Sequence, residues 1–198
     1  MKNLIVSTVL IGNFVMAGGD IVPVEPTVET STALSEGNFY AGVGVSAVST
    51  RDSAVSMNIF NVKNGQDRLG NAVLQIGYDI NSYIAIEGRY TTTFVKEDIV
   101  TMDGWSLFLK PQYPLTEEMS LYALLGYGGV NIDGTNLGTL VDVNDNGFQW
   151  GVGTEYKIDK TIEVFFDYTS LAKDMDGRYG AALQADADAF TLGITYNF

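Results

Sequence analysis

The feature that most constrains this chain is a period of two that returns eight times between residue 38 and the C-terminus. Each return places large apolar side chains on one face of a segment and small or polar ones on the other. Alternating faces belong to strands, whereas a helix would repeat every 3.6 residues. The last stretch shows the pattern most cleanly. Counting back from Phe198, Tyr196, Ile194, Leu192 and Phe190 share one face, while Asn197, Thr195, Gly193, Thr191 and Ala189 share the other. A free terminus frays, and a fully apolar strand face needs cover. A closed barrel with lipid against that face meets both demands.

The segments run from 38 to 48, 71 to 80, 83 to about 95, 105 to 115, 120 to 131, 147 to 158 and 161 to about 171, and end in the closing stretch. Each is near the roughly 9–11 residues that cross a bilayer as a tilted strand. Leu124 blurs the parity of the fifth segment. Pro111 and Pro114 lack a ladder donor, so the fourth is expected to carry a bulge or to stop pairing near its end. Connections at Asn81-Ser82, Thr116 to Met119 and Asp159-Lys160 are short. Those around 49 to 70, 132 to 146 and 172 to 185 read as long, and 96 to 104 as intermediate. Short turns on one side and long loops on the other fit an up-and-down transmembrane barrel. An even strand count then puts both termini on the short-turn, periplasmic side.

The aromatic residues sort by height in the same frame. Phe39, Tyr78, Tyr113, Tyr156, Tyr196 and Phe198 fall near the short turns; Phe94, Trp105, Tyr127, Phe148, Trp150, Tyr168 and Phe190 fall near the long loops. Phe190 and Phe198 are separated by roughly 20 Å along the membrane normal at ~3.3 Å per residue and ~40° tilt. Two such belts at interfacial height are what a bilayer-spanning barrel requires.

Residues 1–17 read as a secretory signal peptide, with Lys2 as the positive end, Leu4 to Met16 as the apolar core and Val15-Met16-Ala17 as the cleavage site. Residues 18–37, with Pro23 and Pro26, keep no period and read as a disordered periplasmic linker leading into a barrel at 38–198. The chain has no Cys and no His, which removes disulfides, thiolate metal sites and the commonest general base. Neither a cofactor nor an enzymatic activity is expected. With 24 acidic against 11 basic residues, a net of −13, nucleic acid is excluded as a partner by repulsion.

The closing residues resemble the C-terminal assembly signal of Gram-negative outer-membrane barrels, its slots filled by Thr191, Gly193, Tyr196 and Phe198. Tyr113-Pro114-Leu115-Thr116-Glu117-Glu118, followed by Ser120-Leu121-Tyr122-Ala123-Leu124-Leu125-Gly126, is similar to the strand-turn-strand of the OmpA-type transmembrane domain and related small porin-family barrels. The resemblance covers roughly 38 to 198. It implies an all-β, eight-stranded antiparallel barrel in the outer membrane, without the peptidoglycan-binding domain of full OmpA proteins. It also implies contact with outer-membrane lipid and lipopolysaccharide, and with the barrel-assembly machinery during insertion.

Parity alone does not say which face is inside, and a soluble lipocalin-like barrel would reverse the facing. The signal sequence, aromatic belts, sorted loops and terminal Phe all choose the apolar face as the outer one. An eight-stranded barrel is just wide enough to be filled by its own side chains. Buried charges need opposite partners. Glu87, Arg89, Lys110, Glu155 and Asp167 are therefore expected to form an interior network of salt bridges and hydrogen bonds. The functional expectation is a structural or surface-interaction protein, its surface ligand unidentified; a narrow low-conductance pore is the alternative. Residues 142–147, Asp-Val-Asn-Asp-Asn-Gly, match the opening of a calcium loop, but the twelfth position is Gly153 rather than Glu, and a hairpin loop is expected.

Overall fold

The structure, a computed structural model, describes residues 37–52, 56–57, 66–96, 100–134, 141–176 and 184–198. The signal peptide and all of the linker but Gly37 lie outside the described residues. Eight strands follow in order: β1 Asn38–Asp52, β2 Gln66–Asn81, β3 Ile84–Lys96, β4 Val100–Pro114, β5 Met119–Gly134, β6 Val141–Lys157, β7 Ile162–Asp176 and β8 Gln184–Asn197. Each pairs antiparallel with its neighbour, and β1 closes onto β8 through Gly44↔Gly193 and Val43↔Ile194. The barrel is closed, so no strand edge meets lipid, where an unpaired amide would cost several kcal/mol.

The three short turns share one local device, a side-chain oxygen that collects backbone N–H groups two and three residues on. Asn81 Oδ1 accepts from Tyr83 N and Ile84 N at 2.8 and 3.1 Å. Thr116 Oγ1 accepts from Glu118 N and Met119 N at 3.2 and 3.0 Å. Asp159 Oδ1 accepts from Thr161 N and Ile162 N at 2.7 and 2.8 Å. Both ends of the barrel lie at this turn end, where Phe198 N donates to the Phe39 carbonyl at 3.0 Å.

The faces are those of the alternation. Val43, Leu74, Ile76, Ile86, Leu107, Leu125, Val152, Leu192 and Ile194 are exposed, and Glu87, Arg89, Lys110, Glu155 and Asp167 are buried. Leu124 is fully buried inside the barrel, so the fifth segment keeps its parity. β4 keeps one register with β5 from Leu109↔Leu125 through Gln112↔Tyr122 to Pro114↔Ser120, without the bulge or the early end expected from its prolines. Proline costs this strand donors but not its course.

The strands are longer than the alternation suggested, and the difference lies at the loop end. They take up about half of the stretches read as loops, leaving connections at 53–65, 97–99, 135–140 and 177–183. The connection read as intermediate is shorter than the turn at 115–118. Residues 142–147 are not a hairpin loop but part of β6, laddered to β5 through Val130↔Asp145 and Gly128↔Gly147. Asn, Asp and Gly are turn formers by local preference, and here the cross-strand ladder overrides it.

Candidate functional site

The interior is layered, and parity along each strand sets the layers. At the turn end, Gln112 Nε2 donates to Asp79 Oδ1 at 3.1 Å. Above it lies the ion-paired layer. Lys110 Nζ on β4 reaches Glu155 on β6 at 2.7 Å and Glu87 on β3 at 3.7 Å. Arg89 on β3 bridges Glu87 through Nε at 2.6 Å and Asp167 on β7 through an Nη at 2.7 Å. The structure therefore brings all five candidate charges into one chain, Glu155–Lys110–Glu87–Arg89–Asp167.

Two tyrosines complete this layer, and the charge count had not included them. Tyr40 O–H donates to Glu87 at 2.7 Å, and Tyr122 O–H donates to Asp167 at 2.8 Å. The Lys110 ammonium lies 5.2 and 4.4 Å from the Tyr40 and Tyr122 ring centres, and the Arg89 guanidinium 5.8 and 5.5 Å from Phe108 and Phe165. Both tyrosines occupy inward positions of their strands, so parity could have found them. Glycine makes the room: the Tyr122 ring fills the place a side chain at Gly153 would take, and the Phe165 ring does the same at Gly193. The dispersion and cation–π contacts of these rings are available only because the facing residue has no Cβ.

Above the charges is a small polar cavity lined by Ser46, Arg89, Thr91, Ser106, Thr169 and Thr191, among others. Above the cavity the lumen changes character. Val48, Leu69, Met102, Val130, Ile132 and Leu171 form one buried apolar cluster across the loop end. The sequence reading missed this layer because most of these residues lay in stretches taken for loops or at the limits of segments.

The outer face changes in the opposite sense at the same height. Beyond Tyr168 and Phe190, Arg51 reaches Asp186 at 3.2 Å and also pairs with Asp188, while Tyr168 O–H donates to Asp188 at 2.6 Å. These residues tie β1 to β8 and β7 above the upper belt. Of the assembly-signal positions, Thr191 and Gly193 face inward and are buried; Tyr196 and Phe198 are exposed and pack edge-on at 5.2 Å between ring centres.

A closed antiparallel barrel with a hydrocarbon-facing band between two aromatic belts, and with ion pairs turned inward, defines a β-barrel membrane protein of the Gram-negative outer membrane. The belts are Phe39, Tyr113, Tyr156 and Phe198 below, and Phe94, Trp105, Tyr127 and Phe148 above, all exposed. The chain belongs to the family of the outer membrane protein beta-barrel domain, whose model matches residues 27–198. Among solved structures, it is similar to Ail of Yersinia pestis (18% identity, 82% of this chain and 99% of that one, TM-score 0.56). It is also similar to the Neisserial surface protein A (12%, 81% and 97%, 0.54). The N-terminal β-barrel domain of OprF from Pseudomonas aeruginosa is a third (16%, 79% and 97%, 0.51). At these identities the likeness is one of fold, the small outer-membrane barrel that the resemblance implied. No curated protein matches the chain in sequence.

Proposed function

We propose that this protein is a closed outer-membrane barrel with a structural or surface-interaction role, its loop end exterior, both termini periplasmic, and its lumen non-conducting. The observation that carries this reading is the apolar layer of Val48, Leu69, Met102, Val130, Ile132 and Leu171 across the loop end of the lumen. A hydrated ion crossing it would give up water for methyl groups, which bind no ion. The lower lumen is occupied by charges that satisfy one another. Catalysis is outside this reading, since the chain offers neither His nor Cys. Thr191, Gly193, Tyr196 and Phe198 serve as the assembly signal, and lipopolysaccharide packs against the upper belt.

Planar-bilayer recording of the refolded protein tests the closed lumen. The expected trace shows no discrete channels, and reproducible single channels altered by Lys110→Ala would overturn the proposal. A narrow pore is the second reading, favoured by the polar cavity beside Arg89. Under the same proposal, Phe198→Ala lowers the amount of heat-modifiable protein in the outer membrane while leaving refolding in detergent intact. Equal levels would remove the assembly role of the terminal aromatic.

A further inference from the structure

Above the upper belt the outer wall of the barrel is not uniform in charge. On the β7–β8–β1 side its acids are neutralised: Arg51 pairs with Asp186 and Asp188, and Lys173 adds a contact to Asp186 at 3.4 Å. On the β4–β6 side they are not. The loop-end stretches of those three strands, residues 100–105, 127–134 and 141–148, contain no Lys or Arg. Asp103 and Asp133 stand there at outward positions, and neither has a basic partner among the described residues. Each is held by a neutral neighbour instead. Thr92 O–H donates to Asp103 Oδ1 at 2.5 Å, and the Asn131 amide donates to Asp133 Oδ2 at 2.9 Å. The other oxygen of each carboxylate is left to accept from outside.

Register fixes what lies beneath these acids. Tyr90, Trp105, Gly129 and Asn146 form one row across β3 to β6, and Thr92, Asp103, Asn131 and Asn144 form the next row toward the loops. Two residues along a strand span roughly 6.6 Å, so Asp103 stands about that far beyond Trp105 on the same face. A Cβ at Gly129 would collide with Trp105 Nε1, 2.6 Å away, and with Asn146 Oδ1. The indole therefore lies across β5 with one face against the wall, in keeping with its 49% exposure, and its other face is open. From the membrane upward the wall presents an aromatic face, the N–H donors of Trp105 and Asn146, and then carboxylates without counter-charge.

That order selects what lies against it. Lipid is the neighbour at the belt, and its headgroup carries a phosphate beside the acyl chains with any terminal group beyond. Indole and amide N–H groups suit the phosphate. The carboxylates above repel a second anion and attract an ammonium, which has three N–H donors to give them and is also drawn to an open indole face. We propose that the β4–β6 wall seats an outer-leaflet lipid whose headgroup ends in a primary ammonium. This rests on the reading that places the upper belt at the membrane interface with lipid against it, and it names the headgroup.

Trp105 and Trp150 are the only tryptophans of the chain, which makes the test local. The full chain carrying Trp150→Phe is refolded in phosphatidylcholine nanodiscs, so that Trp105 alone reports. Equal minor fractions of brominated-chain phosphatidylethanolamine or phosphatidylglycerol supply the quencher. The ethanolamine lipid is expected to bind beside Trp105 about threefold more tightly than the glycerol lipid at low ionic strength, the equivalent of an exposed charge pair. High salt should bring the ratio toward one. Asp103→Asn and Asp133→Asn together should bring it to one with heat-modifiable migration unchanged. In a Trp105→Phe chain, Trp150 reports from beside Tyr168, 5.6 Å between ring centres and toward the neutralised side, and should give a ratio near one. Equal quenching of Trp105 by the two lipids, a ratio that survives the double Asn variant, or the same ratio at Trp150 would each overturn the proposal, the last making the net charge of the whole chain the cause. A preference for the glycerol lipid in Mg2+ that EDTA abolishes would overturn it too, making a cation-bridged anion the occupant. Quenching without preference sinks this inference alone, whereas no quenching of Trp105 by either brominated lipid sinks the interfacial placement of the belt with it.

Discussion

Arg89→Met is the substitution on which the interior network can be judged. Glu87, Glu155 and Asp167 supply three negative charges to the chain of ion pairs, and Arg89 and Lys110 supply two positive ones. The balance is 2 − 3 = −1, with the two tyrosine hydroxyls donating to the excess. Without Arg89 the balance becomes 1 − 3 = −2. Glu87 keeps Tyr40 at 2.7 Å and a distant Lys110 at 3.7 Å; Asp167 keeps Tyr122 at 2.8 Å and Thr169 at 3.3 Å. Breaking a buried pair on one side costs about 3–5 kcal/mol. The polar cavity beside Arg89 offers partial solvation, and methionine retains some contact with the Phe108 and Phe165 rings, so the lower part of that range is expected. Asp167→Asn takes the balance to 2 − 2 = 0 and retains hydrogen-bonding capacity, at a cost of about 1–2 kcal/mol. The double variant returns to −1 and falls short of additivity by about 1–3 kcal/mol. Urea unfolding in lipid, followed by Trp105 and Trp150 fluorescence, measures all three. An Arg89→Met protein within about 1 kcal/mol of the parent, or strict additivity in the double variant, would refute a coupled interior.

Tyr40→Phe deletes one hydrogen bond to a buried carboxylate and should cost about 1.5–3 kcal/mol in the same unfolding experiment. Gly153→Val drives a branched side chain to within 2.5 Å of the Tyr122 ring and 2.6 Å of Asp167 Cβ. A loss of at least about 1–3 kcal/mol is expected, partly recovered by Tyr122→Ala in the same chain. The Asp159 carboxyl, in an exposed turn outside the membrane, is held below the usual 3.8 by the Thr161 and Ile162 amides that donate to it. Because the folded value is the lower one, this turn's contribution is fully present above pH 3.8 and is lost as pH falls through the depressed value. Exchange protection of the Thr161 amide, followed against pH, should therefore hold at pH 5 and decline only below 3.8, whereas Asp159→Ala should lack it throughout.

The strand count was legible from a period of two, because a lipid solvent enforces that period on every strand that crosses it; the facing, and with it the ionic interior, also needed the signal sequence, the aromatic belts, the sorted loops and the terminal Phe. Glu87 and Arg89 are two apart on β3, and once the facing was known the low dielectric of the lumen required them to find partners. The sequence was less informative about where strands end. Asp142, Asn144, Asp145, Asn146 and Gly147 have the composition of a turn, and only the ladder to β5 reveals a strand. The apolar layer was hidden for the same reason: Met102 and Ile132 sat at or beyond the limits assigned to their segments. A signal was present, since Thr101 and Asp103 alternate with Met102, and Asn131 and Asp133 with Ile132. That alternation has the opposite sense to the one in the membrane.

The reversal has a physical cause that also locates the bilayer. On β4 the outward side chains are Leu109, Leu107 and Trp105, all exposed and apolar, followed by Asp103 and Thr101; the inward ones are Lys110, Phe108 and Ser106, followed by buried Met102. β5 repeats the pattern, with Leu121, Leu125 and Tyr127 outward before Asn131 and Asp133, and Val130 and Ile132 inward above the glycines. Hydrocarbon outside rewards apolar residues on the outer face and leaves the lumen to polar ones that satisfy each other. Water outside reverses the preference, and the barrel then needs an ordinary hydrophobic core. The crossover at Trp105, Tyr127, Phe148 and Phe190 therefore marks the membrane interface at the loop end. From Trp105 to Tyr113 at the opposite belt is roughly 20 Å along the normal, and the belts' own side chains bring this close to the ~25 Å apolar band of an outer-membrane barrel. The strands above that line are an extramembrane sheet held rigid by the apolar core inside them. One set of residues, Val48, Met102, Val130 and Ile132 among them, thus both fills the loop end of the lumen and stiffens the sheet around it.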